Sequence, residues 1–300
     1  MDTYLGIDWG GTYVKAGLVN NKGKVLERRT YASKELGKKK GFIEEVRSLI
    51  EEFKKFDIRA IGIGAPGIID IEKGFIYYLP NIPGWKNFPL KTVLEEKFKI
   101  PVFVNNDANL FALAEARLGA GYGYLRGIFL TLGTGLGGAV ISDGKLIPTR
   151  VSSLELGHVP VALKGRKCSC GGQGCVETFV GNKYLLKRYK ALNKNTKAKE
   201  AKDIFEDALR GQKKALIVWD EFSYALGMFL SGMINIFNPQ VIVFGGGVSG
   251  AFRLFKPRLL KVIKQQAMWP QAKNIKLLKA KLKESGIMGA FLWAKESLNK

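Results

Sequence analysis

The chain opens at once on a strand pattern of apolar positions. The segments "TYLGIDW" and "VKAGLVN" predict two strands around a Gly-Gly turn, and "NKG" turns into a third, "KVLERRTY". Apolar positions then recur at helical spacing over 41–56. The run "IRAIGIG" predicts a buried strand ended by Ala65, Pro66 and Gly67. A short helix follows in "PLKTVLEEKF", with proline at its start, then a strand in "PVFVNND" and a helix in "ANLFALAEARLG" closed by Gly119.

The stretch "RGIFLTLGTGLGGAVISDGKLI" repeats the opening plan of strand, Gly-rich turn, strand, Asp-Gly turn and strand. Two such starts, about 120 residues apart, predict a duplicated architecture with one copy per domain. Helices are expected near 176–191, 201–210 and 213–237. The strand "QVIVFGGGVS", another helix, a Lys-rich strand near 275–283 and a last helix from Ser285 complete the chain. Three strands followed by alternating helices and strands, done twice, is the plan of ribonuclease-H-like (actin-like ATPase) α/β domains. The boundary is expected within "LGAGYGYLRG", near 118–125. This gives a first domain of 1–120, joined by the C-terminal helix 286–300, and a second of 121–285.

The 300 residues carry a formal net charge of +22, with 46% hydrophobic residues. The apolar fraction suits a folded α/β enzyme and excludes a disordered chain. The lysines are scattered along amphipathic stretches such as "EEVRSLIEEFKKF", with no aromatic stacking motif among them. They predict a solvated basic surface and no nucleic-acid site. No run of about 18 apolar residues is present, so no membrane span is expected. The opening segment lacks the basic-then-apolar pattern of a secretory signal, and a cytoplasmic protein is expected.

One short segment carries unusual chemistry. In "GHVPVALKGRKCSCGGQGCVE" stand all 3 cysteines of the chain and its single histidine. His158, Cys168, Cys170 and Cys175 form a His-x9-Cys-x-Cys-x4-Cys pattern, the donor set of a closed tetrahedral zinc site. Free cysteines in a flexible loop, with the histidine nearby by chance, are one alternative, and a redox Cys-x-Cys pair, which leaves Cys175 and His158 unused, is another. Glu155 and Glu177 flank this 158–177 loop. A metal on one nitrogen of His158 would leave the other for hydrogen bonding, and would fix the three side chains around a polyhydroxylated ligand.

The motif "DWGGT", with Asp8, Gly10, Gly11 and Thr12, follows an apolar strand. It reads either as a plain tight turn or as a phosphate cradle, with backbone N–H groups, the Thr hydroxyl and an Asp for hydrated Mg²⁺. Gly133, Thr134 and Gly135 stand at the matching point of the second copy and favour the cradle. Gly245, Gly246 and Gly247, after the strand "VIVFG", suit an adenine and its ribose. Asp107, at the end of "PVFVNND", reads either as the cap of the following helix or as a general base for phosphoryl transfer. Asn106 beside it would hold a neighbouring hydroxyl.

In sequence order, "GIDWGGTYVKAGLV", "GIGAPGIID", "LPNIPGW", "PVFVNNDAN", "LTLGTGLGGAVISDGKL", "ELGHVPV", "CSCGGQGCVE" and "NPQVIVFGGGVS" resemble the ROK family of sugar kinases and repressors, within the hexokinase and actin-like ATPase superfamily. The resemblance implies two domains flanking a cleft and ATP, Mg²⁺ and structural Zn²⁺ as cofactors. It also implies a homo-oligomer, a dimer or a tetramer. It makes Asp107 the catalytic base and assigns Gly67, Asn81, Asn106, Glu155, His158 and Glu177 to the sugar. Residues 8–12 and 133–135 would hold phosphates, and 245–247 the nucleoside. The implied reaction is phosphorylation of a hexose, glucose foremost, with N-acetylmannosamine, N-acetylglucosamine, fructose or allose as alternatives and polyphosphate a conceivable donor. The family's repressors carry a helix-turn-helix domain before the first phosphate loop; only 7 residues precede Asp8, so the kinase class is expected. Trp9, Tyr13 and Leu154 depart from the family's usual residues. Since the phosphate turns lie on other strands and do not depend on the metal loop in this reading, loss of the metal is expected to damage sugar affinity more than nucleotide affinity.

Overall fold

The computed structural model describes residues 2–34, 38–80 and 82–299. Strands β1 (Asp2–Trp9), β2 (Tyr13–Asn20) and β3 (Val25–Ala32) lead into helix α1 (Lys39–Glu52) and strand β4 (Asp57–Ala65). Next come β5 (Ile68–Asp70), β6 (Phe75–Tyr78), β7 (Lys86–Phe88), helix α2 (Leu90–Phe98), β8 (Val102–Asn106) and α3 (Asp107–Leu118). The second half runs β9 (Gly127–Leu132), β10 (Leu136–Ser142), β11 (Lys145–Leu146), α4 (Glu177–Val180), α5 (Asn182–Leu192), α6 (Ala201–Leu209) and α7 (Lys213–Phe237). It ends with β12 (Val241–Gly245), α8 (Phe252–Gln266), α9 (Trp269–Ala272), β13 (Lys276–Lys279) and α10 (Ser285–Leu298).

The chain divides into two compact units. One comprises Met1–Leu118, Leu146–Ser153 and Leu282–Lys300; the other comprises Gly119–Lys145 and Leu154–Lys281. In the first, the main sheet has the order β3-β2-β1-β4-β8, antiparallel from β1 through β3 and parallel from β1 through β8. The period-2 pattern of β1 sends its side chains to two different layers. Leu5, Ile7 and Trp9 pack with Phe42, Val46 and Leu49 of α1 and with Leu90 and Leu94 of α2. Tyr4 faces the other way, with Ile287, Met288, Phe291 and Ala294 of α10. Each such fully buried large side chain stabilises the fold by about 1.5–3 kcal/mol. Gly62 of β4 lies against the backbone of Ala290, so any side chain there would drive α10 off the sheet.

The second unit repeats the strand order, β11-β10-β9-β12-β13, with β9 and β10 antiparallel and β9, β12 and β13 parallel. Helix α7 buries Trp219, Phe222, Leu226, Phe229, Leu230, Met233 and Ile234 at three- and four-residue spacing. The ring of Phe222 lies 5.1 Å from Trp219 and 5.0 Å from Phe255 of α8.

Several expectations change in detail. The helix expected over 176–191 is two, because Gly181 takes an extended φ of −69° and ψ of 142° between α4 and α5. The strand expected near 275–283 spans only Lys276–Lys279. A three-stranded sheet, β5-β6-β7, was not expected. The stretch Leu146–Ser153, inside the range 121–285 expected for the second domain, packs with the first unit: Ser152 N–H donates to Ile69 O at 2.7 Å, and Asp70 bridges Val151. Among the described residues, no helix is long and apolar enough to cross a membrane.

Candidate functional site

In the first unit the candidate site residues gather at the carboxyl ends of parallel strands, where open α/β sheets bind ligands. Asp8, Gly64 and Asn105 stand in register across β1, β4 and β8. Asn105 Oδ1 accepts from Asn106 N–H at 2.7 Å and from Asn109 Nδ2 at 2.9 Å, so a buried amide pair one helical turn apart stiffens the junction. Asn106 is buried and engaged at both ends: Oδ1 accepts from Ala108 N–H at 2.9 Å, and Nδ2 donates to Gly67 O at 3.2 Å. Asn106 is therefore the residue that caps α3. Asp107 is its first helical residue, partly exposed, with Oδ1 accepting from Ala108 N–H at 2.9 Å. A negative charge is well placed at a helix N-terminus.

Gly67 reaches this junction with φ +100°, and a Cβ there would meet Pro80 Cδ at 2.7 Å and crowd Tyr78 O. Its carbonyl accepts a second bond, from Ser152 Oγ at 2.9 Å. The sequence reading missed Asn105, Asn109 and Ser152. The Asn-x3-Asn spacing in "VNNDAN" was a readable signal for the first two; Ser152, at φ +62°, had none. Asn81 lies outside the described residues. Gly11 and Thr12 are exposed at the end of β1, and Gly10 N–H closes the turn on Tyr13 O at 2.9 Å. Burial pushes the Asp8 carboxyl above the usual range, opposed by Lys15. Trp9 points away from this turn into the core, stacked 4.0 Å from Phe42 and edge-on to Trp85 at 4.6 Å, while Tyr13 is exposed.

In the second unit, the donor atoms of His158, Cys168, Cys170 and Cys175 all lie within 4.8 Å of one another. Cys168 Sγ is 3.5 Å from His158 Nδ1, and Cys170 Sγ is 3.7 Å from Cys175 Sγ. A tetrahedral cation with arms of about 2.3 Å to sulfur and about 2.0 Å to nitrogen has S–S edges of about 3.8 Å and S–N edges of about 3.5 Å. The four side chains fit such a cation. Burial, then hydrogen bonds with Cys170 and Cys168, push the Cys175 thiol up to about 12, and the Gly172 N–H lowers Cys170. Sulfurs crowded this closely deprotonate together only with a cation among them.

With Nδ1 toward the sulfurs, His158 Nε2 faces Glu155 Oε2 at 3.9 Å. Glu155 is exposed and holds a left-handed backbone, φ +49°, uncommon for a residue with a side chain. Glu177, the first residue of α4, turns one oxygen to the β9–β10 turn, where Oε2 accepts from Leu136 N–H at 3.1 Å. That turn is the 133–135 segment, closed by Gly133 N–H on Gly135 O at 3.0 Å. Gly245 pairs Thr131, and Gly246, at φ +79°, lies against the Leu132 backbone. The second unit thus assembles Glu155, His158, the cysteines, Glu177 and both of its Gly-rich segments. Asp107, Asn106, Gly67 and residues 8–12 belong to the first.

Duplicated mixed sheets, Gly-rich turns at their carboxyl ends and a His/Cys₃ loop define one class of α/β protein. The chain belongs to the ROK family, whose family model matches residues 4–297. It is 36% identical over 274 residues to a glucokinase of Thermotoga maritima, covering 86% of each chain. It is 32% identical over 303 residues to a xylose repressor of Caldicellulosiruptor bescii, covering 95% of this chain and 75% of that one. A ROK glucokinase from Streptomyces griseus, solved in complex with glucose and AMPPNP, superposes with a TM-score of 0.80 at 30% identity over 98% of this chain and 99% of that one.

Proposed function

We propose that the protein is an ATP- and Mg²⁺-dependent sugar kinase that phosphorylates a hexose, with glucose as the acceptor. The observation that carries this reading is the β8–α3 junction. Asn106 caps the helix, and Asp107, which shares the Ala108 N–H through Oδ1, presents a partly exposed carboxylate on a buried, amide-stiffened frame. A sugar sensor needs hydroxyl contacts alone, whereas a kinase needs one carboxylate to accept the hydroxyl proton as the phosphoryl group departs. In this reading Asp107 takes that proton, and Asn106, Gly67, Asn81, Glu155, His158 and Glu177 bind the sugar. Residues 8–12 and 133–135 cradle phosphates, and 245–247 face the nucleoside. Zinc on His158, Cys168, Cys170 and Cys175 would anchor the loop, and Mg²⁺ near Asp8 would neutralise phosphate charge. The relatives named glucokinase, one of them solved with glucose and an ATP analogue, support the acceptor and donor.

A coupled assay across hexoses and N-acetylhexosamines tests this. The expected result is ATP-dependent turnover highest with glucose. Preference for N-acetylmannosamine, N-acetylglucosamine or fructose would move the acceptor, with half-buried Leu154 beside Glu155 as the first position to examine. No turnover with any sugar would overturn the kinase reading.

The xylose-repressor relative supports a second reading, a sugar-responsive regulator. With its +22 charge, the chain is expected to bind DNA weakly and without sequence preference, losing that binding steeply as salt rises. A sequence-specific complex that survives physiological salt, measured by fluorescence anisotropy, would favour the regulator.

A further inference from the structure

The carboxylate of Glu177 lies where two functions meet. It begins two residues after Cys175, yet its Oε2 accepts the Leu136 N–H at 3.1 Å, and the Gly135 Cα is so close that a Cβ there would collide with the carboxylate. Leu136 is gripped from its other side, because Gly157, next to His158, packs on the Leu136 carbonyl with no room for a side chain. Past the short helix α4, Asn182 N–H donates to Gly133 O at 3.0 Å, and Gly181 lies against Thr134 O. The 133–135 turn is thus clamped by 157, 177, 181 and 182, residues that bracket the metal loop. The turn is held further by its own Gly133–Gly135 bond and by the pairing of β9 with β10. The expectation that this turn stands apart from the metal loop is corrected.

We infer that Glu177 is a positioning residue for the nucleotide-phosphate turn, acting through the Leu136 N–H, in addition to its proposed contact with sugar. The inference rests on the kinase reading. A carboxylate accepting a backbone N–H makes a strong, directional bond. It sets the course of the backbone just after Gly135, and so the direction of the turn's own N–H groups. A purely sugar-binding Glu177 would leave nucleotide affinity alone.

The experiment measures Mg-AMPPNP binding by calorimetry with no sugar present, on the full-length, metal-loaded protein. Glu177→Ala is expected to weaken nucleotide binding roughly 10-fold or more, the size of a lost hydrogen bond to a charged group. Glu177→Gln keeps an oxygen that can accept the Leu136 N–H, and is expected to stay within about threefold of the parent by the same reasoning. Gly135→Ala pushes the turn and Glu177 apart while all four metal donors are kept, and should also weaken the nucleotide while zinc content stays unchanged. It decides the matter if Glu177→Ala does not fold. Unchanged nucleotide affinity in a folded Glu177→Ala, or in Gly135→Ala, would overturn the inference, as would equal losses in Ala and Gln variants. Failure of the parent protein to bind Mg-AMPPNP would instead strike the kinase reading itself.

Discussion

Asp107→Asn is expected to abolish phosphoryl transfer while leaving sugar binding measurable. The substitution keeps the shape at the start of α3 and an oxygen that can accept the Ala108 N–H, now at 2.9 Å from Asp107 Oδ1. The Asn106 bonds to Ala108 and Gly67 do not involve the substituted atoms, so the surface offered to the sugar persists. What disappears is the proton acceptor. Loss of a general base costs about 10²–10⁴-fold in rate, and the coupled assay should record a fall of that size in kcat. Calorimetry with glucose should return an affinity near that of the parent protein. A variant keeping more than about a third of the parental turnover would remove Asp107 from the chemistry, and the β8–α3 junction would revert to a helix start.

The central strands were legible in the sequence because both of their faces are buried. The apolar positions of "TYLGIDW" and the apolar run in "IRAIGIG" leave no other placement for Leu5, Ile7, Ile61 and Ile63, all fully buried. The metal donors were legible for a different reason, since their chemistry is scarce and concentrated in one loop. The β5-β6-β7 sheet was not, because strands of 3 and 4 residues carry too few positions to show a period. Distance along the chain hid the rest. Ser152 joins the first unit through bonds to Ile69 and Gly67, the latter 85 residues away, and Glu177 meets Leu136 across 41 residues. Neither pairing has a local signature. The break at Gly181 was readable as a glycine in a helical pattern, but the close approach of Thr134 O to that glycine was not.

That long-range pairing changes what metal removal should do. Elemental analysis is expected to find one zinc per chain, and Cys168→Ser with Cys170→Ser should abolish it, since two of the four donors are then gone. Loss of the metal leaves the loop with weaker ties, among them the bridges between Pro160 and Cys175 and between Lys167 and Gln173, the Val176 N–H bond to Val159 O at 2.9 Å, the Arg166 bond to Thr178 O at 2.8 Å and the Arg166–Glu221 ion pair. His158 loses the contact that turns Nε2 toward Glu155, so sugar affinity should fall by roughly 10–100-fold, as when groups around a metal site are disturbed. Glu177 starts α4 just beyond Cys175, and its bond to Leu136 depends on where that helix begins. Nucleotide affinity, measured without sugar, should therefore fall as well and not remain intact. Calorimetry with glucose and with Mg-AMPPNP, on a chelated sample whose circular dichroism still matches the parent, separates the outcomes. A loss confined to sugar would mean that α4 holds Glu177 without help from the metal. A sample that keeps both affinities would show that the four donors serve neither site.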